Sequence, residues 1–203
     1  MTPPAYVAHH RASDGMWQPL AEHLIGVAAL AREFAGKLGL AGIGELLGLL
    51  HDLGKYSKEF QAYIKSALGV LNQDADEDWV DAADLKGKVD HSTAGAQWVW
   101  HTLANQGAKT DWLSQTAALC IASHHSGLID CVAGDARRFG DAVFLRRIAK
   151  LDERTHLAEV EKAADRHVLA PLYSPRTTQR NPTWLVEVST GWGQRAAGRY
   201  RWQ

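Results

Sequence analysis

Residues 46–64 read LLGLLHDLGKYSKEFQAYI, and this stretch decides the fold. The run LLGLL belongs in a protein core, yet His51 and Asp52 follow it directly and Lys55 comes three positions later. Burying an imidazole, a carboxylate and an ammonium is costly unless other groups replace their water. Those groups have to come from elsewhere in the chain.

Working outward, apolar positions recur at three- and four-residue steps. In residues 20–40 the stripe is Leu20, Leu24, Val27, Ala31, Phe34 and Leu38, with His23 on it. The segment from about 43 to 52 is apolar almost all round, which predicts a central helix ended or bent at Gly54. Ser57 is placed to cap a new helix over SKEFQAYIKSAL. Residues 72–90 break the pattern, and six acids between Asp74 and Asp84 predict a solvated loop or lid. Asp90 is placed to cap a helix over HSTAGAQWVWHTLANQG. DWLSQTAALCIASHHSGL predicts another, with Leu113, Ala117, Cys120, Ile121 and His124 on one side. Residues 141–170 predict a long charged helix or a pair, broken by Pro171. With no internal repeat and no strand-like alternation of useful length, the expected class is all-α, a compact helical bundle.

Composition narrows the setting. The 203 residues, 46% hydrophobic and 22% charged, fit one soluble domain with a core large enough to need no staples. Residues 1–170 are expected to form it. Residues 171–203 read as a C-terminal tail, possessing from Arg176 onward five arginines, one acid (Glu187) and three tryptophans. That tail is a poorly ordered or altered end of the domain, or else a binder of a partner or nucleic acid. Cys120 and Cys131 fit no metal-knuckle spacing and read as buried or incidental thiols of a reducing compartment. No signal peptide opens the chain and no charge-free apolar window of about 18 residues occurs, so a cytoplasmic protein with no membrane span is expected. The net charge of −1, from 22 basic and 23 acidic residues, predicts no broad attraction to nucleic acid. Local features or a partner must hold any strand.

Ten histidines are the compositional oddity. His23, His51, Asp52, His91, His124 and His125 all lie on or beside apolar helix faces, on four separate predicted helices. Taken singly, each reads as a satisfied core residue; together, metal coordination accounts for all of them at once. Imidazole with carboxylate and no thiolate suits first-row divalent metals better than a structural cysteine–zinc site. Neighbouring residues on a helix differ by about 100° in direction, so His51 and Asp52 can reach one ion, or Asp52 can bridge two. Two ions about 3.5–4 Å apart form the usual clamp for phosphoester hydrolysis. Lys55, one turn from His51, can set its ammonium on a phosphate oxygen. The expected cofactor is one or two divalent ions drawn from Mn²⁺, Ni²⁺, Co²⁺, Fe²⁺, Mg²⁺ and Zn²⁺.

The order of these residues is itself informative. HDLGK at 51–55 after an isolated helix histidine, VDHSTAGA at 89–96 and IASHHSGL at 121–128 together resemble the HD-domain superfamily of metal-dependent phosphohydrolases. More closely, LLHDLGKYSKEFQAYI and the opening YVAHHRASDGMWQPLAEHL are similar to the HD nuclease of type I CRISPR interference, over residues 1 to about 170. The resemblance implies a compact HD-type helical bundle with metal ligands at His23, His51, Asp52, His91, His124 and His125. It implies catalytic roles for Asp52 and for Lys55 near the phosphate. The implied activity is divalent-metal-dependent cleavage of single-stranded DNA, fed by a helicase after a CRISPR surveillance complex opens the target. A late aspartate ligand is also implied, with Asp165 in KAADRHV and Asp152 as candidates. The 203 residues hold no GxxxxGK[ST] phosphate loop, so the helicase is expected as a separate chain, or absent.

The remaining residues receive plainer readings. His9 and His10 are taken as surface groups or as supports for a ligand, and His156 and His167 as exposed. His101 lies on the helix side of His91 with no counterpart in the resemblance. Trp98, Trp100 and Trp112 are assigned to the core, and Arg137, Arg138, Arg146, Arg147 and Lys150 to a solvated basic stripe. Besides the nuclease, two other functions fit. One is an HD phosphohydrolase of nucleotides or cyclic dinucleotides; the other is a truncated inactive copy acting as a binding module or decoy.

Overall fold

In the computed structural model, which describes residues 2–104, 108–131, 142–164 and 168–169, the apolar run before His51 becomes helix α2 (Ala41–Leu50). It packs along α1 (Leu20–Gly36), and small residues set how closely. A Cβ on Gly48 would lie 2.4 Å from the Ala28 Cα, and one on Gly44 would lie 2.3 Å from the Ala31 carbonyl oxygen. The two backbones therefore touch, and the buried stripe of α1 runs through Leu20, Leu24 and Ala28. Phe34 and Leu38, expected on that stripe, are 60% and 78% exposed. Periodicity alone could not exclude them, because an interface of alanine against glycine leaves no room for a phenylalanine.

Helices α3 (Lys58–Ala67), α5 (Thr93–Leu103) and α6 (Ala108–Ser123) complete the frame. Leu46, Leu50, Leu53, Trp98, Val99, Leu103 and Ile121 fill the space between them, each essentially without solvent contact. The expected caps form: Ser57 Oγ accepts the Phe60 amide at 3.2 Å, and Asp90 accepts both the amide and the hydroxyl of Thr93, at 3.0 and 2.6 Å. The acidic segment is exposed turns around the short helix α4 (Ala82–Leu85). The inward arc of α6 is Leu113, Ser114, Ala117, Ala118, Ile121 and Ala122. Cys120, three residues on from Ala117, falls beyond the edge of that arc and is exposed, as is Cys131. Trp112 is likewise 58% exposed, while Trp98 is core and Trp100 packs against Phe144.

The long helix or pair of helices expected over 141–170 is replaced, among the described residues, by short pieces: α7 (Val143–Ile148), α8 (Asp152–Thr155) and α9 (Leu157–Ala164). Buried Gln97 explains one break. Its amide donates to the carbonyls of Ile148 and Lys150 at 2.9 and 2.7 Å, occupying acceptors a continuing helix would use. His156, in the left-handed region at φ 53°, makes the next break. It is half-buried, not exposed, with Nε2 3.0 Å from Glu59. The expected basic stripe is partly structural: Arg147 donates to the Ala122 carbonyl at 2.6 Å, and Lys150 pairs with Asp90. Arg137, Arg138, Asp165, His167, Pro171 and the tail lie outside the described residues. No helix among the described residues is long and apolar enough to cross a membrane.

One element was not expected. Strands β1 (Val7–Arg11) and β2 (Met16–Pro19) form an antiparallel hairpin, with an extra residue in β1 between Val7 and His9. A bulge of this kind shifts the alternation of side chains by one. His9 thus pairs with Gln18, and His10 with Trp17 on the opposite face. The strand was illegible because its alternation is short and half polar.

The α1–α2 contact makes a clean test. Gly48→Ala should lower stability by about 1–3 kcal/mol through overpacking against backbone. Gly26→Ala, on the open side of α1 with nothing within 4 Å of the added carbon, should raise it by roughly 0.5–1 kcal/mol. Denaturant unfolding of both variants measures the difference.

Candidate metal centre

The site forms where helices end. α2 stops at Leu50, and His51 and Asp52 stand on the turn leading to a 3-10 segment, Leu53–Tyr56. α6 stops at Ser123, just before His124 and His125, and His91 stands two residues before α5 begins. His23 alone comes from within a helix, one turn into α1. The last carbonyls of a helix lack intrahelical donors, and here imidazoles use them. His51 Nδ1 donates to the Gly48 carbonyl at 2.9 Å and His124 Nδ1 to the Ile121 carbonyl at 2.7 Å. With those bonds made at Nδ1, each ring turns its Nε2 inward, where it can give a proton to Asp52 or a lone pair to a cation.

Asp52 is the centre. Its side chain is 4% exposed, and five imidazoles surround it. Oδ2 lies 3.1 Å from His23 Nε2, 3.2 Å from His51 Nε2 and 2.8 Å from Lys55 Nζ. Oδ1 lies 3.3 Å from His124, 3.7 Å from His91 and 3.9 Å from His125. The six residues expected to meet do converge, and each carboxylate oxygen faces its own group of rings. Candidate ligand atoms of Asp52, His91, His124 and His125 all lie within 4.8 Å of one another. Lys55 is brought in too, but buried, with its ammonium on Asp52 and over the Phe60 ring. Asp152 is committed elsewhere, accepting the Ala158 amide at 2.9 Å.

Backbone contact holds the parts in place. Gly54 donates its amide to the His91 carbonyl at 3.2 Å, and a Cβ there would lie 2.4 Å from that oxygen. Only glycine lets the two strands of chain approach so closely. Buried Gln61 ties the hairpin to the same turn. Its amide donates to the Val7 and Lys55 carbonyls at 3.0 and 2.8 Å, and its oxygen accepts the Val7 amide at 2.9 Å. His9, taken from the sequence as a surface group or a support for a ligand, lies on β1 with its ring 4.8 Å from that of His23. The histidine pair at 9–10 was the available signal, but only the bulge decides which of the two faces the centre.

Charge explains what this arrangement fits. Burial works against the Asp52 anion, but hydrogen bonds from His124, His23 and His51, with the Lys55 charge, hold its carboxyl far below the usual range. Burial pushes His91 down to about 4, aided by Lys55 and His125 and opposed by Asp52. His125 is lowered by burial and by His124, and His9 by burial and Lys55. His124 is raised: burial is the largest influence and opposes its charge, but the hydrogen bonds to Asp52 and to the Ile121 carbonyl, with the Asp52 charge, together outweigh it. Imidazole lone pairs aimed at a carboxylate repel it unless a proton or a cation intervenes. Without metal, His124 and its proton meet that need in part. Imidazoles around one carboxylate, with no thiolate, are the donor set of a first-row divalent ion, and the residues present fit it.

The pattern has a family. A family model described as Cas3, HD domain, matches residues 8–190, and the chain belongs to that family, the HD nuclease domain of CRISPR Cas3. No curated protein matches it.

Two tests follow from the geometry. His91 is ordinarily a base of pKa near 6.5 and stays neutral here until about 4, so the unfolded chain takes up a proton that the fold refuses. Stability of the chelator-treated protein should be full above pH 6.5 and fall toward pH 4, by an amount on the order of 2 kcal/mol from this ring. His91→Gln should flatten the fall in thermal unfolding. Gln61→Leu should lower stability by about 1–3 kcal/mol, since it leaves buried Val7 and Lys55 backbone groups unpaired.

Proposed function

We propose that the chain is a divalent-metal-dependent nuclease of the cytoplasm that hydrolyses phosphodiester bonds of single-stranded DNA in type I CRISPR interference, with strand opening by a separate helicase. One observation carries this reading: five imidazoles from four segments close on Asp52, the one buried carboxylate among the described residues, within 3.9 Å, in a fold of the Cas3 HD family. In this reading Asp52, His91, His124 and His125 would hold one ion, and His23 and His51 beside Asp52 would serve a second. Bound there, divalent ions make water a nucleophile near neutral pH and polarise phosphoryl oxygens.

The chain's own residues do the rest. The Gly48 and Ile121 carbonyls keep His51 and His124 in the tautomer that presents Nε2. Asp52 stays ionised across the working pH range and serves both sides of the centre. Lys55 pairs its ammonium with Asp52 at 2.8 Å and, with cations on that carboxylate, would be available to offset charge on a phosphate oxygen. The rim supports a strand better than an enclosed nucleotide: His125 keeps 58% of its side chain in solvent, and His9 is exposed as well. A net charge of −1 with an acidic 72–84 loop gives little general pull on DNA, which suits a strand delivered by a partner.

Purified protein assayed with Mn²⁺, Ni²⁺, Co²⁺ or Mg²⁺ on single-stranded DNA, linear duplex and nucleotides tests this. Single-stranded DNA should be cut, chelator should abolish cutting and added metal restore it. The His51→Ala/Asp52→Ala variant should lose at least about a hundredfold in rate. Turnover of nucleotides alone would move the assignment to a nucleotide phosphohydrolase. Metal binding with no turnover would make the chain a binding module.

A further inference from the structure

We propose that His9, carried by the hairpin and not by the helical bundle, is a metal ligand that completes a second cation seat with His23 and Asp52. The inference rests on the metal-dependent reading above and extends it to a residue outside the HD pattern. Candidate ligand atoms of His9, His23 and Asp52 all lie within 4.8 Å of one another. This group is distinct from the Asp52, His91, His124 and His125 group, sharing only the carboxylate. The division follows the two oxygens of Asp52, since His23 approaches Oδ2 at 3.1 Å while His124 approaches Oδ1 at 3.3 Å.

The hairpin is held as a ligand-bearing element should be. Gln61 grips Val7 through both its amide and its carbonyl, two residues before His9. Leu20, at the start of α1, donates its amide to the Tyr6 carbonyl at 3.0 Å, so β1 is pinned to the helix that carries His23. The extra residue after Val7 changes the alternation, which puts His9 and Gln18 on one face and His10 and Trp17 on the other. The His9 and His23 rings meet edge to face, 76° apart, with centroids 4.8 Å apart. His10, by contrast, is occupied with Trp17 at 4.4 Å. Bulges that re-aim a side chain are common beside functional sites.

The seat should be the weaker of the two. Lys55 Nζ, 2.8 Å from Oδ2, already places a positive charge on that side, and an incoming cation has to compete with it.

The full chain, stripped with chelator and titrated with Co²⁺, reads this directly by calorimetry and visible absorption. Wild type should take up two equivalents of unequal affinity. His9→Ala should weaken the weaker one by at least about tenfold and leave the tighter unchanged. His125→Ala should do the reverse, and His10→Ala should alter neither. Circular dichroism checks folding, and His9→Asn, which preserves a polar group on the strand, replaces His9→Ala should the alanine variant unfold. Unchanged binding of both equivalents in a folded His9 variant overturns the inference while leaving the metal centre intact, as does a single site in wild type that His9→Ala does not affect. No Co²⁺ binding by wild type overturns the inference and the parent reading together.

Discussion

The structure depends on one buried carboxylate and the positive or proton-bearing groups that make its burial tolerable. Asp52 sits 3% exposed in the middle of an otherwise leucine-rich bundle, where an unpaired anion would cost many kcal/mol. Lys55 and five imidazoles replace the lost water. His124 is raised, but His91 and His125 are lowered, by burial and by the positive charges beside them. The balance is therefore incomplete with protons alone, and divalent cations are the partners that relieve carboxylate and lone pairs at the same time.

Helix termini explain why the site lies where it does. α2 and α6 end at the centre, and the negative end of a helix dipole favours cations. Their last free carbonyls also orient His51 and His124. The polar site and the apolar core thus do not compete for the same stretches. Helix bodies supply leucines to the core, and helix ends supply donors to the site. Close backbone contacts at Gly48 and Gly54 then fix how the ends meet.

Within the Cas3 HD family, the open rim is the feature that bears on substrate. His125 and His9 belong to separate groups that share Asp52, and both are exposed, so solvent reaches the centre. The surface adds little general attraction for a polyanion, with exposed acids on the 72–84 loop and Arg147 and Lys150 engaged internally.

The amino-acid sequence by itself determined the helical class, the caps at Ser57 and Asp90, and the identities of the groups around Asp52. These are local matters: periodicity, cap chemistry, and polar residues in apolar runs that have to be paid for somewhere. Only tertiary structure decided that Phe34 and Leu38 lie outside, because that follows from how closely α1 and α2 approach. It alone placed the Lys55 ammonium on the carboxylate and turned His9, not His10, toward His23. Those outcomes depend on distances between segments far apart in the chain and on a single extra residue in a strand, and no periodicity within one segment encodes either.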